Sequence, residues 1–211
     1  MENRTNILTE RTDCILYYAE PDLPNEYGTG WIGGNAPGYF DNRVDLIQEG
    51  TKKYYFYLCL AHPFKHESMI SIFIPEEYED YLDHNIYPNC SIKLMEHPIS
   101  AESVNDLFTH PGLRKHAISD GIISNDEKSM DQSFLIKLGG NPRLIQHENY
   151  YFTKLTEDSF SFFFQVDEDG YPDTLLQDDH SYPFGFGSLY IFAKTGTNDS
   201  QDPVAGFWQF S

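Results

Sequence analysis

The sequence predicts an α+β fold, largely antiparallel β-sheet built from two degenerate repeat halves with a few short helices. Three observations lead there. Of 211 residues, 40% are hydrophobic and 16% aromatic, with 16 Phe and 15 Tyr. Such a chain can bury a substantial core without disulfides, and its aromatics favour strands over a helical bundle. The apolar segments are short and bounded by turn residues, the pattern of strands. A glycine-rich element also occurs twice, as WIGGNAPGYF at 31–40 and KLGGNPRLIQ at 137–146, and aromatic runs follow each copy.

Taken along the chain, strands are expected at 14–19, 54–61, 69–74, 91–96, 134–138, 150–155, 160–166, 187–193 and 204–210. Three short helices fit between them: 41–49, with Val44 and Ile47 on one face; 76–83, with Tyr78, Tyr81 and Leu82; and 101–108, with Val104, Leu107 and Phe108. Ser100 is positioned to cap the third through its hydroxyl. The polar segment SDGIISNDEKSMDQS, 119–133, reads as a connector within one domain spanning 1–211, between halves at about 14–118 and 134–211. Each GGN element reads as a sharp turn, because adjacent glycines reach positive φ and the proline that follows cannot continue a ladder. A phosphate-cradling loop is the alternative, but neither copy has GxGxxG or GxxxxGK[ST] spacing.

The charge bounds the partners. The chain carries 33 acids against 14 bases, a formal net charge of -19. The excess is distributed, with 16 acids and 7 bases up to His97 and 17 and 7 beyond it, so no acidic tail carries it. A field of this sign repels phosphate backbones and assists capture of a basic protein. Two places are dense: PEEYEDYLD, with Glu76, Glu77, Glu79, Asp80 and Asp83, and the region holding Asp167, Glu168, Asp169, Asp173, Asp178 and Asp179. These eleven are the candidate partner-binding residues. No nucleic-acid or membrane partner is expected. No apolar run approaches the roughly 18 to 20 residues that cross a bilayer, and MENRTNILTERTD lacks a signal-like apolar stretch, which predicts a cytoplasmic protein. Cys14, Cys59 and Cys90 lack CxxC spacing and read as reduced structural thiols.

Several motifs together, GWIGGNAP, LIKLGGNPRLIQ, FSFFFQVDEDGYP, FGFGSLYIFAK and AGFWQFS, resemble the YwqG-like family of bacterial proteins of unknown function, over about residues 28–211. The resemblance implies one α+β domain of two related halves. It implies no established activity, cofactor or catalytic residue, and an association of some members with secreted-toxin genes. The first half lacks the glutamine-containing strand that follows the second GGN turn.

His62 and His66 in HPFKHE have the four-residue spacing of two zinc ligands on a helix, but Pro63 and strand-like neighbours oppose a helix, and the ordinary reading is solvated loop histidines. Asp167–Asp173 clusters carboxylates around Gly170 as a Ca²⁺ loop does, without the EF-hand register; a hairpin-like turn is the simpler reading. There is no GxSxG elbow. Phe184 and Phe186 read as core, from their alternation in FGFGSLYIF, and Trp31 and Trp208 as core or rim. No cofactor is expected. Two functions remain: a non-catalytic acidic module, most concretely an immunity-type inhibitor of a basic toxin domain such as a nuclease, or a small-ligand binder or enzyme with a cleft between the halves, aided by Ca²⁺.

Overall fold

The computed structural model describes residues 7–21, 29–76, 85–194 and 202–210. Within these described residues, twelve strands form two six-stranded antiparallel sheets. One runs β12(Val204–Phe210), β11(Gly187–Lys194), β10(Phe160–Asp167), β9(Ile136–Gly139), β1(Asp13–Tyr17), β8(Ile122–Asn125). The other runs β2(Ala19–Glu20), β7(His116–Ile118), β3(Gly30–Ile32), β4(Tyr54–Ala61), β5(Ser68–Pro75), β6(Lys93–Pro98). Short helices α1(Val44–Ile47), α2(Asp126–Ser129) and α3(Tyr150–Glu157) lie among them.

The sheets share one strand order. Each has a meander, β3-β4-β5-β6 or β9-β10-β11-β12, that begins at the GGN strand, and each receives an outside strand beside that strand, β7 beside β3 and β1 beside β9. The chain therefore crosses between sheets early and again in its middle. The stretch 119–133 is accordingly no bare connector: it carries β8, which pairs with β1, and α2.

The central core lies between the sheets. Ile15, Tyr17, Leu138, Phe164 and Leu189 of one sheet meet Leu58, Leu60, Ile70 and Ile72 of the other. Alternation sends the neighbouring side chains to the outer faces. Trp31, Phe56, Cys59 and Phe73 form a second cluster under Ala36, Phe40, Ile47 and Phe108. A third joins Tyr190, Phe192 and Phe207 to Leu155 of α3.

That third cluster explains why 150–155 is helical where a strand is expected. Tyr151, Phe152 and Leu155 fall on one face at helical spacing and all pack in this cluster, Tyr151 and Phe152 lying 4.6 and 5.2 Å from the Phe207 ring. The predicted helix 101–108 does not form. The Ser100 hydroxyl accepts from Tyr39 N–H, and Glu102 accepts from Asn35 N–H and pairs with Lys115, so the segment is held extended across 35–41. Phe108 is buried and Val104 fully exposed. The 41–49 helix shrinks to the single turn of α1, and 77–83 of the predicted 76–83 helix lie outside the described residues.

Both GGN elements are left-handed turns, with φ of 66° and 70° at Gly33 and Gly34 and 72° and 63° at Gly139 and Gly140. Each is closed by a carboxylate with a lysine behind it. Asn35 N–H donates to Glu102, which pairs with Lys115. Asn141 N–H donates to Asp126 at 3.0 Å, which pairs with Lys137 at 2.8 Å. The first pair is partly exposed and the second buried. A Cβ on Gly140 would lie 2.1 Å from Asp126 Oδ1; one on Gly34 would meet Glu102 Oε1 at 2.8 Å and Lys115 Cβ at 2.9 Å. Gly140→Ala is therefore expected to lose about 3 kcal/mol of stability in urea denaturation and Gly34→Ala about 1–2 kcal/mol. Equal losses would refute this account of the two turns.

Candidate functional site

The second acidic region sits where β10 ends. Asp167 closes that strand, a 3₁₀ turn follows at Glu168–Gly170, and a long loop leads through Phe186 into β11. The first two acids of the region turn inward, correcting their assignment to a partner surface. The Asp167 carboxylate accepts from Asp169 N–H at 3.0 Å, Arg143 Nη2 at 2.8 Å and Gln165 Nε2 at 2.9 Å. Glu168 is 1% exposed and accepts from Phe184 N–H at 2.7 Å and Gly187 N–H at 2.8 Å, tying the two ends of the loop together. Burial pushes the Glu168 carboxyl up to about 7, against the backbone N–H groups that favour its ionised form. These carboxylates are bound within the fold, so the Ca²⁺-loop reading loses two of its ligands. Among the described residues, no three His, Cys, Asp or Glu converge as a metal site.

Asp169, Asp173, Asp178 and Asp179 are exposed. Asp169 accepts from Ser133 Oγ at 3.2 Å and lies 3.4 Å from Arg143; Asp178 lies 3.3 Å from Arg114. Glu76, at the end of β5, is exposed as well; Glu77, Glu79, Asp80 and Asp83 lie outside the described residues. A run of contacts joins Glu76 to the second region. The Tyr55 hydroxyl donates to Glu76 at 2.6 Å, the Tyr55 ring meets His110 edge-on at 5.2 Å, and Gly112 packs between His110 and His180.

The loop carrying these acids is firmly held. Arg114 N–H donates to Leu175 O at 2.7 Å and Gln177 N–H to Gly112 O at 2.9 Å. Thr174 Oγ1 lies 2.8 Å from His116 Nε2, and Leu175 is fully buried. The Tyr171 and Tyr57 hydroxyls meet at 2.6 Å, and Tyr182 stacks on Tyr171 at 5.6 Å.

Phe184 and Phe186 diverge. Phe184 is 1% exposed, packed on Tyr57 and Trp208, as alternation predicts. Phe186 is 47% exposed, and its ring meets Tyr182 edge-on at 4.9 Å. The cause is backbone: Gly185 and Phe186 both have positive φ, 65° and 62°, so the strand alternation starts only at Gly187 and Phe186 swings outward. Phe210, 47% exposed, adds to this apolar surface, since its register partner is Gly187 and a Cβ on Gly185 would touch its Cβ at 3.7 Å. Trp31 and Trp208 are both buried.

Chemistry elsewhere is enclosed. His62 lies in a turn, not a helix, and its Nδ1 accepts from Phe64 and Lys65 N–H, which leaves the proton on Nε2, a buried atom without a partner. His66 is exposed. Sequence reasoning misses the hydroxyl–imidazole pairs, Thr174 with His116 and Ser71 Oγ with His97 Nε2 at 2.7 Å, because 58 and 26 residues separate the partners. Ser71 and His97 are buried, with Tyr39 stacked on the His97 imidazole and Phe40 edge-on to it, so that pair is a satisfied core contact. Burial raises all three thiols, which disfavours the reactive thiolate. No helix of the described residues is long and apolar enough to cross a membrane. No family model matches the chain, and no curated protein matches it, so the resemblance to the YwqG-like family rests on the motifs quoted above.

Proposed function

We propose that the chain is a non-catalytic binding module for a basic protein, most concretely an immunity-type inhibitor that neutralises a basic toxin domain in the bacterial cytosol. One observation supports this above the rest: Phe186 is held exposed, in a left-handed conformation, at the end of a loop that also carries Asp169-adjacent turn contacts, Asp173, Asp178 and Asp179. A bulky residue at positive φ costs about 1–2 kcal/mol, and the ring gains little core burial in return. The left-handed backbone brings the Phe186 N–H onto the buried Glu168 carboxylate and leaves the ring outside the core, where it is placed to act as an anchor. The exposed acids of the same loop would speed capture of a basic surface, and the aromatic ring, filling a pocket on the partner, would slow its release.

The test uses the tagged full chain, the proteins of its own host and any basic toxin-like protein encoded beside it. A basic polypeptide should be retained stoichiometrically and lose its activity when bound. Phe186→Gly should raise the dissociation rate at least about tenfold while raising stability by about 1 kcal/mol, because the strained φ is relieved. Reversing Asp169, Asp173 and Asp178 to lysine should slow association and flatten its salt dependence. Retention that is indifferent to all four changes would remove this surface from the reading.

A further inference from the structure

Two six-stranded sheets have four edges, and three of them are protected. β2 is two residues long; β6 carries Lys93, Glu96 and Pro98; and β12 is covered at Gly206, whose carbonyl accepts from Tyr87 N–H at 2.6 Å. β8 has none of these devices. Its residues Ile122, Ile123, Ser124 and Asn125 include no charge and no proline, and Ile122 and Ile123 are 58% and 65% exposed. Among the described residues it pairs with β1 alone.

The register shows which backbone groups face outward. Asp126 N–H donates to Thr12 O at 2.9 Å, and this pair continues the β1–β8 register of Asp13 with Asn125 and Cys14 with Ser124. Alternation then turns Ser124 and Ile122 toward β1, and turns the N–H groups of Ile123 and Asn125 to the open side. Each face of this edge also presents one isoleucine, since Ile123 lies opposite Ile15 of the central core and Ile122 opposite Leu16 of the outer face.

We infer that β8 is a docking edge for an extended segment of a partner protein, added as a seventh antiparallel strand, with apolar residues at alternate positions and basic residues flanking them. Charge selects this occupant over a second copy of the chain. Among the described residues, Asp13, Asp120, Glu127 and Asp131 are exposed around the edge against one exposed base, Lys128, so a β8-to-β8 pairing sets acids against acids in two molecules that each carry -19. Lysines or arginines at the ends of an incoming strand meet the opposite sign. The site is separate from Phe186 and does not depend on the inhibitor reading.

The probe is a synthetic peptide of five alternating valines and threonines with two lysines at each end, and its twin with glutamates in place of the lysines. With the full chain, the lysine peptide should slow amide exchange at Ile123 and Asn125 at least about tenfold, and the glutamate peptide should bind at least about tenfold more weakly. Ile123→Pro removes an outward N–H without touching the β1 ladder and should abolish binding; Ile123→Val should keep it. Ile123→Lys, which places a like charge on the edge, should weaken the lysine peptide and serves if the proline variant does not fold. Phe186→Gly should leave peptide binding unchanged, so the two surfaces fail independently. Absent protection, equal binding of both peptides, binding that survives both Ile123→Pro and Ile123→Lys, or a concentration-dependent dimer that Ile123→Pro abolishes, each overturns the proposal, the last by making a second copy the occupant.

Discussion

Asp126→Ala is expected to remove about 3–5 kcal/mol of stability, a large part of what a domain of this size commonly has. The carboxylate stands at the meeting of three elements. It is the first residue of α2, it pairs at 2.8 Å with the Lys137 ammonium of β9, and it accepts both the backbone N–H and the side-chain amide of Asn141 at 3.0 and 2.7 Å. The Lys137 side chain is 0% exposed. Its other polar contact is the weak acceptor Met130 Sδ at 3.7 Å, so deleting Asp126 leaves a buried ammonium facing a cavity. Lys137→Met is expected to cost less, because Asp126 keeps both Asn141 donors and stands near Arg11, whose own pKa it raises against the lowering effect of burial. The matching pair in the other sheet calibrates the claim. Glu102 and Lys115 keep 25% and 35% of their side-chain surface in water, so Glu102→Ala should cost only about 1–2 kcal/mol, most of it the lost acceptor for Asn35 N–H. Urea midpoints with unchanged slopes would measure all three. If Asp126→Ala and Glu102→Ala cost the same, burial is not what separates the two turns.

Those turns mark how far the sequence could be read. The repeated GGN was legible because glycine pairs report positive φ directly, and the aromatic runs of β4, β5, β10, β11 and β12 lie where alternation and length place them. The acids and lysines that complete the turns were not legible. Glu102 is 67 residues from Asn35, and nothing local distinguishes it among 33 acids. For the same reason acid density misjudged the site: Asp167 and Glu168 look like their exposed neighbours until Arg143, Gln165 and the 184–187 backbone are brought to them by the sheet. Strand 150–155 failed because aromatics satisfy either period, and only the cluster at Phe207 selects the helical one. β3, β7 and β8 are three or four residues long, too short for a pattern to show, and are held as strands by pairing alone. Phe186 is exposed where alternation predicts burial, because two consecutive left-handed residues break that alternation.

The second large effect is a loss that depends on pH. Glu168→Ala is expected to cost about 3–4 kcal/mol at pH 5, since the Phe184 and Gly187 N–H groups lose their acceptors in a buried site. Near pH 8 the cost should shrink by up to about 3 kcal/mol. Burial raises the carboxyl from its ordinary 4.5 to about 7 in the fold. A group raised on folding contributes stability that is fully present below the unfolded value and is lost as pH rises through the folded one. The wild-type contribution therefore fades between about 4.5 and 7, and the variant has nothing to lose there. His62, His97 and His110 act in the opposite sense. Burial lowers all three from 6.5, His62 and His110 to about 4, so their contribution is present above 6.5 and disappears as pH falls below it. With three such groups against one, wild-type stability should climb from pH 4 to a maximum near 6.5 and decline slightly beyond it. The histidine effect is common to wild type and variant, and it cancels in their difference, which isolates Glu168. Urea denaturation of both proteins at pH 5 and pH 8 is the check. A difference that stays constant or grows with pH means that the backbone N–H donors of Phe184, Phe186 and Gly187 outweigh desolvation and the carboxylate is charged throughout; the Phe186 loop is then held by the same charge at every pH the cell offers.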